Sequence, residues 1–475
     1  MNRRKALSHL SLSSVALLGG WGFTKTWVKA SPVQERIFPL VIQKGSVFTE
    51  GKLQPLNVGV TDAGLLHLSP LELRGTQVID ASQHIVSPGF VDILADGPKN
   101  LTNDYHVFER FKLTDGVTTT LQLHGGRENP EEYHRFFDPK PHYTNYGVGI
   151  YVMGIRLATD LPHRLKHVEK MLAEGALSVS HSLEYQPTPY DEVKAYAQLA
   201  RRYERPMFLH LRYSDKEHEL DGVKEAIRLA RETGVRMHID HLHSTGGTFH
   251  MAEALDLIQE ARQSGLDITT CVYPYSYWAT YLHSKRFDEG WRERYNLDYS
   301  DLRLVGTTER ISKKSFQYYR QHPGYLVAVP EGAMPFETTI DLALQTDFCM
   351  IGSDGGIASL EAANSHPRGA GCFATALQHA QAIGMPLEKM LPKLTSMPAD
   401  LIRPAVQNRG EIKEGAIADL TIFNPKTIQG LATVENPNTN SAGIKAVVLN
   451  GKVAYQAGKI LAENGLPIRN SGRRA

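Results

Sequence analysis

The sequence has only three cysteines, Cys271, Cys349 and Cys372, and their spacing is too wide for a paired-cysteine metal site. This excludes a disulfide framework as the main support of the fold. An excess of charge of one sign is also missing, because the sequence has 52 Lys and Arg residues and 51 Asp and Glu residues. With no long basic block either, the sequence predicts no nucleic-acid partner.

Long hydrophobic runs are absent as well, since no stretch approaches the roughly 20 residues that span a bilayer. Residues 1–31 have a basic start, a short apolar run and a small-residue region, which together predict a signal peptide. The adjacent Arg3 and Arg4 are typical of twin-arginine export, although an ordinary secretory signal also fits. We expect an exported, periplasmic protein with no membrane attachment after cleavage.

The pattern of the remaining chain predicts a (β/α)₈ TIM barrel with a small β-sandwich domain built from both chain ends. Short strands with turns fill residues 36–85 and 403–470, and residues 86–402 alternate strands with helices. The expected barrel strands are Ile85–Leu94, Val117–Leu123, Val148–Met153, Ala176–Leu183, Met207–Leu211, Met237–Leu242, Ile268–Val272 and Cys349–Ser353. An insertion near residues 278–325 fits either a lid over the active site or a structural buttress.

Three hydrophobic segments end in side chains that bind metals or move protons. His210 and His241 end two expected strands about thirty residues apart, and Asp354 ends a third. Barrel enzymes build their active sites at these strand ends. Imidazole nitrogens bind zinc, and a carboxylate can accept a proton from an attacking water. The pattern favours a metal-dependent hydrolase.

A set of short motifs extends over nearly the whole chain after residue 31. In order, the motifs span Ser87–Asp92, Asp115–Thr119, Ser182–Pro187, His210–Arg212, His241–Leu242, Tyr273–Tyr275, Ile351–Gly355, His366–Arg368, Thr395–Ala399 and Gly410–Ile412. Their common order resembles the amidohydrolase superfamily, and most of all the N-acyl-D-amino-acid deacylases.

The resemblance implies a β-sandwich flanking a barrel, and a zinc-activated water that attacks an amide carbonyl. It implies that His210 and His241 bind the metal. Asp354 would take the proton from the water and pass it to the leaving amine. Arg368 and Tyr275 match positions expected to hold the substrate carboxylate and the reacting carbonyl.

The chain departs from the superfamily pattern at three metal-ligand positions, two in strand one and one after strand two. The Asp-x-His-x-His of strand one has become a segment with Leu94 and Asp96 at the histidine positions. Only Asp96 could bind a second metal, and weakly. The cysteine that deacylases carry after strand two falls on Gly125, and the neighbouring His124 is the natural substitute. We expect one Zn²⁺ per chain, held by His124, His210 and His241, although His124 also fits a loop residue that only forms hydrogen bonds.

His243 stands where these deacylases tend to have lysine. Two positions after His241, it would share the same side of an extended segment and bind substrate or support the metal ligands. Tyr185, in the strand-four motif, is a further candidate for substrate binding.

The predicted function is zinc-dependent hydrolysis of an N-acyl amino acid, of the D series, with Asp354 as general base. Two alternatives stay open: hydrolysis of a cyclic amide, as in dihydroorotase-like and hydantoinase-like relatives, and a barrel that binds a ligand without catalysis. The expected partner is a small substrate bearing a carboxylate. The oligomeric state is not predicted.

Overall fold

Eight parallel strands form a nearly closed barrel in the computed structural model, which describes residues 36–96, 105–156, 159–322, 324–356 and 366–470. The predicted signal peptide lies outside the described residues. The barrel strands, numbered one to eight below, are Phe90–Asp92, Val117–Arg127, Asn145–Tyr151, Val179–Ser182, Met207–His210, Met237–Ile239, Ile268–Val272 and Cys349–Ile351. Each strand pairs with the next one in the sequence.

Strands one and eight approach each other across the remaining gap. Ala95 forms an isolated parallel bridge with Gly355, just beyond the two strands. The backbone N–H of Ser353 also donates to Asp92 Oδ1 at 3.0 Å. The predicted barrel is therefore confirmed, and these contacts hold the end of strand eight against strand one.

The barrel strands are largely buried on both faces, as parallel strands covered by helices must be. In strand five, Phe208 packs with Val91, Leu121 and Met350 in one buried cluster. Its neighbour Leu209 belongs to the cluster that includes the surrounding helices. This double burial explains why such strands read as continuous hydrophobic runs rather than as alternating patterns.

Amphipathic helices follow most barrel strands. Glu219–Thr233 buries Val223, Ala226 and Ala230 at helical spacing, and it ends at Gly234 in the left-handed conformation. Within the described ranges, no helix is both long and apolar enough to cross a membrane. The α-helices of these ranges are Tyr105–Thr114, Pro130–Phe137, Val152–Arg156, Leu161–Ala173, Tyr190–Arg202, Glu219–Thr233, Met251–Gln263, Trp291–Tyr295, Lys313–Gln321, Ile340–Gln345, Arg368–Ala382, Leu387–Leu394 and Ser396–Leu401.

A second sheet joins both ends of the described chain. Its strands are Ile37–Thr49, Lys52–Val60, Leu66–Ser69, Arg74–Asp80, Ile85–Pro88, Leu420–Phe423, Ile444–Leu449, Lys452–Gln456 and Lys459–Ile460. Leu420–Phe423 pairs antiparallel with Ile85–Pro88, which makes one mostly antiparallel sheet from the two regions. The small β-domain predicted from both regions is confirmed.

The predicted first barrel strand, Ile85–Leu94, is wrong in its first half. Ile85–Pro88 belongs to the small sheet, and only Phe90–Asp92 enters the barrel. The break falls at Gly89, where an added Cβ would lie 2.1 Å from Thr118 Oγ1. Only a glycine lets the chain pass so close to strand two while it changes sheets.

The insertion between strands seven and eight has its own small sheet and helices. Ala279–Tyr281 and Arg303–Leu304 both pair with Leu326–Ala328. Stacked aromatic rings fill its interior; Trp291 and Phe316 lie 5.3 Å apart between ring centroids. The insertion also contains the helix Lys313–Gln321. Arg286 and Trp278 of this insertion line the cavity described below.

Candidate metal centre

Three histidines converge at the ends of barrel strands two, five and six. His124 lies within Val117–Arg127, His210 ends Met207–His210, and His241 follows Met237–Ile239. One nitrogen of each ring lies within 4.8 Å of the corresponding nitrogens of the other two. Among the described residues this is the one group of three or more metal-ligand side chains with such spacing. The structure therefore brings together the three side chains predicted as ligands.

The His124 ring is oriented by a buried carboxylate. Its Nδ1–H donates to Asp240 Oδ2 at 2.7 Å, and this leaves Nε2 to face the other two histidines. Burial alone would lower the pKa of His124, but the negative charge and hydrogen bond of Asp240 outweigh burial and raise it to about 9. A carboxylate behind a ligating imidazole is a usual support of zinc ligands.

His210 is oriented in the same way by Glu184. The Nε2–H of His210 donates to Glu184 Oε2 at 2.8 Å. Its Nδ1 is buried and has no hydrogen-bond partner among the described residues. Burial lowers the pKa of His210, so a neutral ring is favoured. An unpartnered buried lone pair that faces two other imidazoles is what a metal ligand requires.

His241 has a hydroxyl as its support. Its Nδ1 lies 3.1 Å from Ser244 Oγ, and that hydroxyl can donate to the His241 carbonyl at 3.1 Å. With Nδ1–H as donor to the serine, Nε2 keeps a free lone pair. Burial lowers the pKa of His241 well below its usual value. The residue also has a φ of 26°, a strained backbone of the kind found at functional sites.

Asp354 faces this group from beyond strand eight. Its Oδ1 lies 3.9 Å from His124 Nε2, and its Oδ2 lies 3.8 Å from His241 Nε2. Its φ of 47° is in the left-handed region. The carboxylate is thus held opposite the histidines, with each oxygen just beyond hydrogen-bond distance of an imidazole nitrogen.

A buried ion pair fixes the residue before Asp354. Lys112 Nζ lies 2.8 Å from Asp92 Oδ2, and both side chains are almost completely buried. The Ser353 hydroxyl accepts from Lys112 at 2.8 Å and donates to Asp92 Oδ2 at 2.6 Å. This network fixes the backbone of Ser353 and so positions the adjacent Asp354.

Arg368 and two tyrosines lie around the same cavity, whose volume is about 510 Å³. Arg368 Nη2 lies 2.9 Å from Asp354 Oδ2. Burial alone would lower the pKa of Arg368, but the Asp354 carboxylate raises it. Tyr185 lines the cavity with its ring 4.9 Å from that of His210, and Tyr273 lines it beneath the Arg368 guanidinium.

Two predicted substrate residues do not line this cavity. Tyr275 places its hydroxyl 3.4 Å from Thr375 Oγ1, because the Tyr275 N–H donates to Tyr273 O in a tight turn at Pro274. The turn makes Tyr273 the cavity residue. His243 lies in a 3₁₀ turn, Leu242–Ser244, instead of the extended segment expected, and its ring packs against Tyr273.

Asp96, the predicted weak second metal position, is exposed and lines the cavity. It lies outside the group formed by the three histidines. Its Oδ1 is 3.8 Å from where a Cβ on Gly125 would lie, so Asp96 borders the position of the missing cysteine.

Sequence reasoning missed four residues that support the histidines: Asp240 and Ser244, which contact His124 and His241, and Glu184 and Arg286. Glu184 supports His210, and Arg286 of the insertion contacts Glu184 at 3.2 Å. Glu184 had a signal, since it follows the end of strand four. Arg286 had none, because it lies about 76 residues after His210 in a segment without strand periodicity.

The Amidohydrolase family model matches residues 154–454, which is more than half of the chain. The chain belongs to the amidohydrolase family. Within this family the chain is 29% identical over 315 residues to a D-aminoacylase of Alcaligenes xylosoxydans xylosoxydans. That match covers 62% of this chain and 63% of the relative, slightly less than two thirds of its length.

Solved structures of family members have the same fold. An N-acyl-D-glutamate deacylase from Bordetella bronchiseptica, solved with zinc and a phosphonate inhibitor, has a TM-score of 0.77 at 22% identity. It covers 92% of this chain and 100% of its own. A D-aminoacylase with a binuclear metal centre, activated by one metal and attenuated by the second, has a TM-score of 0.76 at 21% identity. The match covers 91% of this chain and 100% of that D-aminoacylase.

Proposed function

We propose that this amidohydrolase removes the acyl group from an N-acyl amino acid, of the D series, by metal-dependent hydrolysis of the amide bond. The observation that carries the proposal is the convergence of three imidazole nitrogens opposite the carboxylate of Asp354. The similarity to D-aminoacylase supports the class of substrate.

The three histidines fit one zinc ion. Each has its second nitrogen engaged by an oxygen, and each presents the first to a common point. Three protein ligands leave one coordination position open, as in catalytic zinc sites. A bound zinc ion supplies Lewis acidity, which polarises a carbonyl and makes water a better nucleophile at neutral pH. One ion per chain is proposed, since Leu94 and Asp96 replace the histidines of strand one.

Asp354 would move the proton. Both of its oxygens face the histidines, but Oδ2 also pairs with Arg368 at 2.9 Å, whereas Oδ1 lies 3.9 Å from His124 Nε2. Oδ1 is therefore the atom proposed to accept a proton from the attacking water. The same atom would return that proton to the leaving nitrogen, which must be protonated before the amide bond breaks.

Arg368 would orient the substrate through its carboxylate. Its guanidinium has five donors, of which one pairs with Asp354 and the buried Nε has no partner among the described residues. A planar cation with a buried, unpartnered donor beside a cavity favours a carboxylate ligand. Tyr185 and Tyr273 line the same cavity and have hydroxyls suited to the polar groups of an amide.

The test measures hydrolysis of four classes of substrate: N-acyl-D-amino acids, N-acyl-L-amino acids, hydantoins and dihydroorotate. Each is assayed with protein stripped of metal and with the same protein reloaded with zinc. We expect hydrolysis of N-acyl-D-amino acids by the zinc form, weaker hydrolysis of the L series, and none by the stripped form. A faster reaction with hydantoins or dihydroorotate would replace this proposal with cyclic-amide hydrolysis. Tight binding of N-acyl amino acids without turnover would replace it with a binding protein.

We also propose export to the periplasm, on the basis of residues 1–31. The expected result is a shortened N-terminus in protein recovered from the periplasm. Protein that keeps its N-terminal residues in the cytoplasm would contradict this proposal.

A further inference from the structure

One arginine of the insertion reaches the residues that orient two of the three histidines. Arg286 lies in the 3₁₀ turn Lys285–Phe287, and its side chain is 4% exposed. Its Nε and Nη2 each lie 3.2 Å from Glu184 Oε2, the same oxygen that accepts from His210. The insertion therefore contacts the support of a metal ligand directly.

The same guanidinium also contacts the support of His241. Arg286 Nη2 donates to the backbone carbonyl of Ser244 at 2.8 Å, and the Ser244 hydroxyl lies 3.1 Å from His241 Nδ1. The Arg286 guanidinium packs over the Trp278 ring at 4.9 Å. Arg286 thus bridges barrel strands four and six from the insertion.

A second contact from the insertion ends on the same carboxylate. The Tyr295 hydroxyl lies 3.2 Å from Ser214 Oγ, and Ser214 donates a short hydrogen bond to Glu184 Oε1. Both oxygens of Glu184 are consequently engaged by groups tied to the insertion. Burial would raise the pKa of Glu184, but Arg286 and His210 lower it to about 2, so the carboxylate stays charged.

We infer that Arg286 is a positioning residue that couples the insertion to the metal centre, so that metal binding and ordering of the insertion stabilise each other. The geometry is a continuous path from Arg286 through Glu184 to His210, with a branch through Ser244 to His241. The inference rests on the proposed metal centre, but it does not depend on which amide is hydrolysed.

Linkage makes the coupling reciprocal: if the insertion improves metal affinity, the metal must stabilise the insertion by the same factor. Loss of a group that orients a metal ligand costs about 10-fold to 100-fold in metal affinity. A structural buttress without this coupling would leave metal affinity unchanged when its contact to the barrel is cut.

The experiment compares Arg286→Gln with Arg292→Gln in the full chain. Arg292 belongs to the same insertion and also pairs with a carboxylate, that of Asp298, but its side chain is 45% exposed. Zinc affinity is measured by competition with a chromophoric chelator. We expect Arg286→Gln to weaken zinc binding about 10-fold or more, and Arg292→Gln to change it less than twofold.

Hydrogen exchange supplies the reciprocal measurement. In the unaltered protein, added zinc should slow amide exchange both in the barrel strands that carry the histidines and in residues 278–325. In Arg286→Gln, zinc should still protect the strands and no longer protect residues 278–325. Equal protection of the insertion in both proteins would overturn the inference.

Two further outcomes are informative. Arg286→Gln leaves the Glu184 charge without its main partner, so misfolding of this variant would transfer the test to Tyr295→Phe, which removes one hydroxyl. A weakening of the same sign but smaller size is then expected, and unchanged affinity overturns the inference. Absence of zinc binding in the unaltered protein would instead overturn the metal centre itself, and this inference with it.

Discussion

Asp354 shows how one side chain is prepared for proton transfer. Its strained backbone, with φ 47°, is fixed by the buried Asp92–Lys112 pair through Ser353. Both of its oxygens face the histidines, and one of them, Oδ2, also pairs with Arg368. The neighbours thus orient the carboxylate without using both of its oxygens.

Replacement of Asp354 by asparagine should therefore remove turnover and preserve the metal centre. The amide is nearly the same size but cannot accept a proton, so we expect kcat to fall by about 10²- to 10⁴-fold. Zinc content, measured by mass spectrometry on the same sample, should stay near that of the unaltered protein. Full activity in Asp354→Asn would end its assignment as the base.

Arg368→Lys tests carboxylate recognition. Lysine keeps the charge but loses the planar set of donors that binds a carboxylate with two hydrogen bonds. We expect KM for an N-acyl amino acid to rise about tenfold or more, because a hydrogen bond to a charged group contributes about 1.5–3 kcal/mol. The control is the corresponding N-acyl amino-acid amide, which lacks the carboxylate and should lose much less. An equal loss for both substrates would assign Arg368 to the support of Asp354 alone.

Sequence reasoning at this scale succeeded where strand ends decide the position. His124, His210 and His241 lie at or near the ends of buried strands, and parallel strands bring their ends together. It failed where the chain leaves the strand, because a turn changes which side chains share a face. Because of the turn at Pro274, Tyr273 lines the cavity and Tyr275 does not. Because of the 3₁₀ turn after His241, His243 also lies outside the cavity lining.

At the scale of elements, Gly89 allows one continuous segment of the chain to form a strand in the small sheet and then a strand in the barrel. It separates Ile85–Pro88 of the small sheet from Phe90–Asp92 of the barrel, and its N–H donates to Asp419 O at 2.8 Å. Pro88-Gly89 within Ile85–Leu94 is a signal for a break in a strand, but a local pattern cannot show that the residues on its two sides join different sheets. The deciding quantity is the distance to Thr118, which is a tertiary contact.

Gly89→Ala should destabilise the protein for this reason. The new methyl group would lie 2.1 Å from Thr118 Oγ1 and 2.3 Å from its Cγ2, and a β-branched side chain in a buried strand cannot rotate away. We expect the free energy of unfolding in urea to fall by about 1–3 kcal/mol. In a Thr118→Ala background, which removes both atoms, the loss should be smaller; an equal loss in both backgrounds would contradict steric conflict as the cause.

At the scale of the whole molecule, buried neutral histidines set the response to acid. Burial lowers the pKa of His181 and of His238 to about 3 each. The unfolded chain, with ordinary values near 6.5, binds more protons below that pH than the folded protein. Stability is therefore fully present above pH 6.5 and is lost as the pH falls toward 3.

The measurement is the free energy of unfolding at pH 7.5 and at pH 5. Each of these two histidines should cost about 2 kcal/mol at pH 5, from 1.36 kcal/mol per pH unit below 6.5. His238→Gln has no group to protonate there, so its loss between the two pH values should be smaller by about that amount. His322→Gln, at an exposed position beside the Tyr318 carbonyl, is the control and should keep the loss of the unaltered protein. Identical losses in all three proteins would show that other groups govern acid sensitivity.

The pairing of Ile85–Pro88 with Leu420–Phe423 has a consequence for biosynthesis. These partners lie more than 300 residues apart in the sequence, so the ribosome needs roughly 20 to 60 s to deliver the second after the first. During that interval the earlier strand has an open edge, which is a hazard for aggregation. The pairing that joins the two regions of the small sheet must therefore form late, once translation is nearly complete.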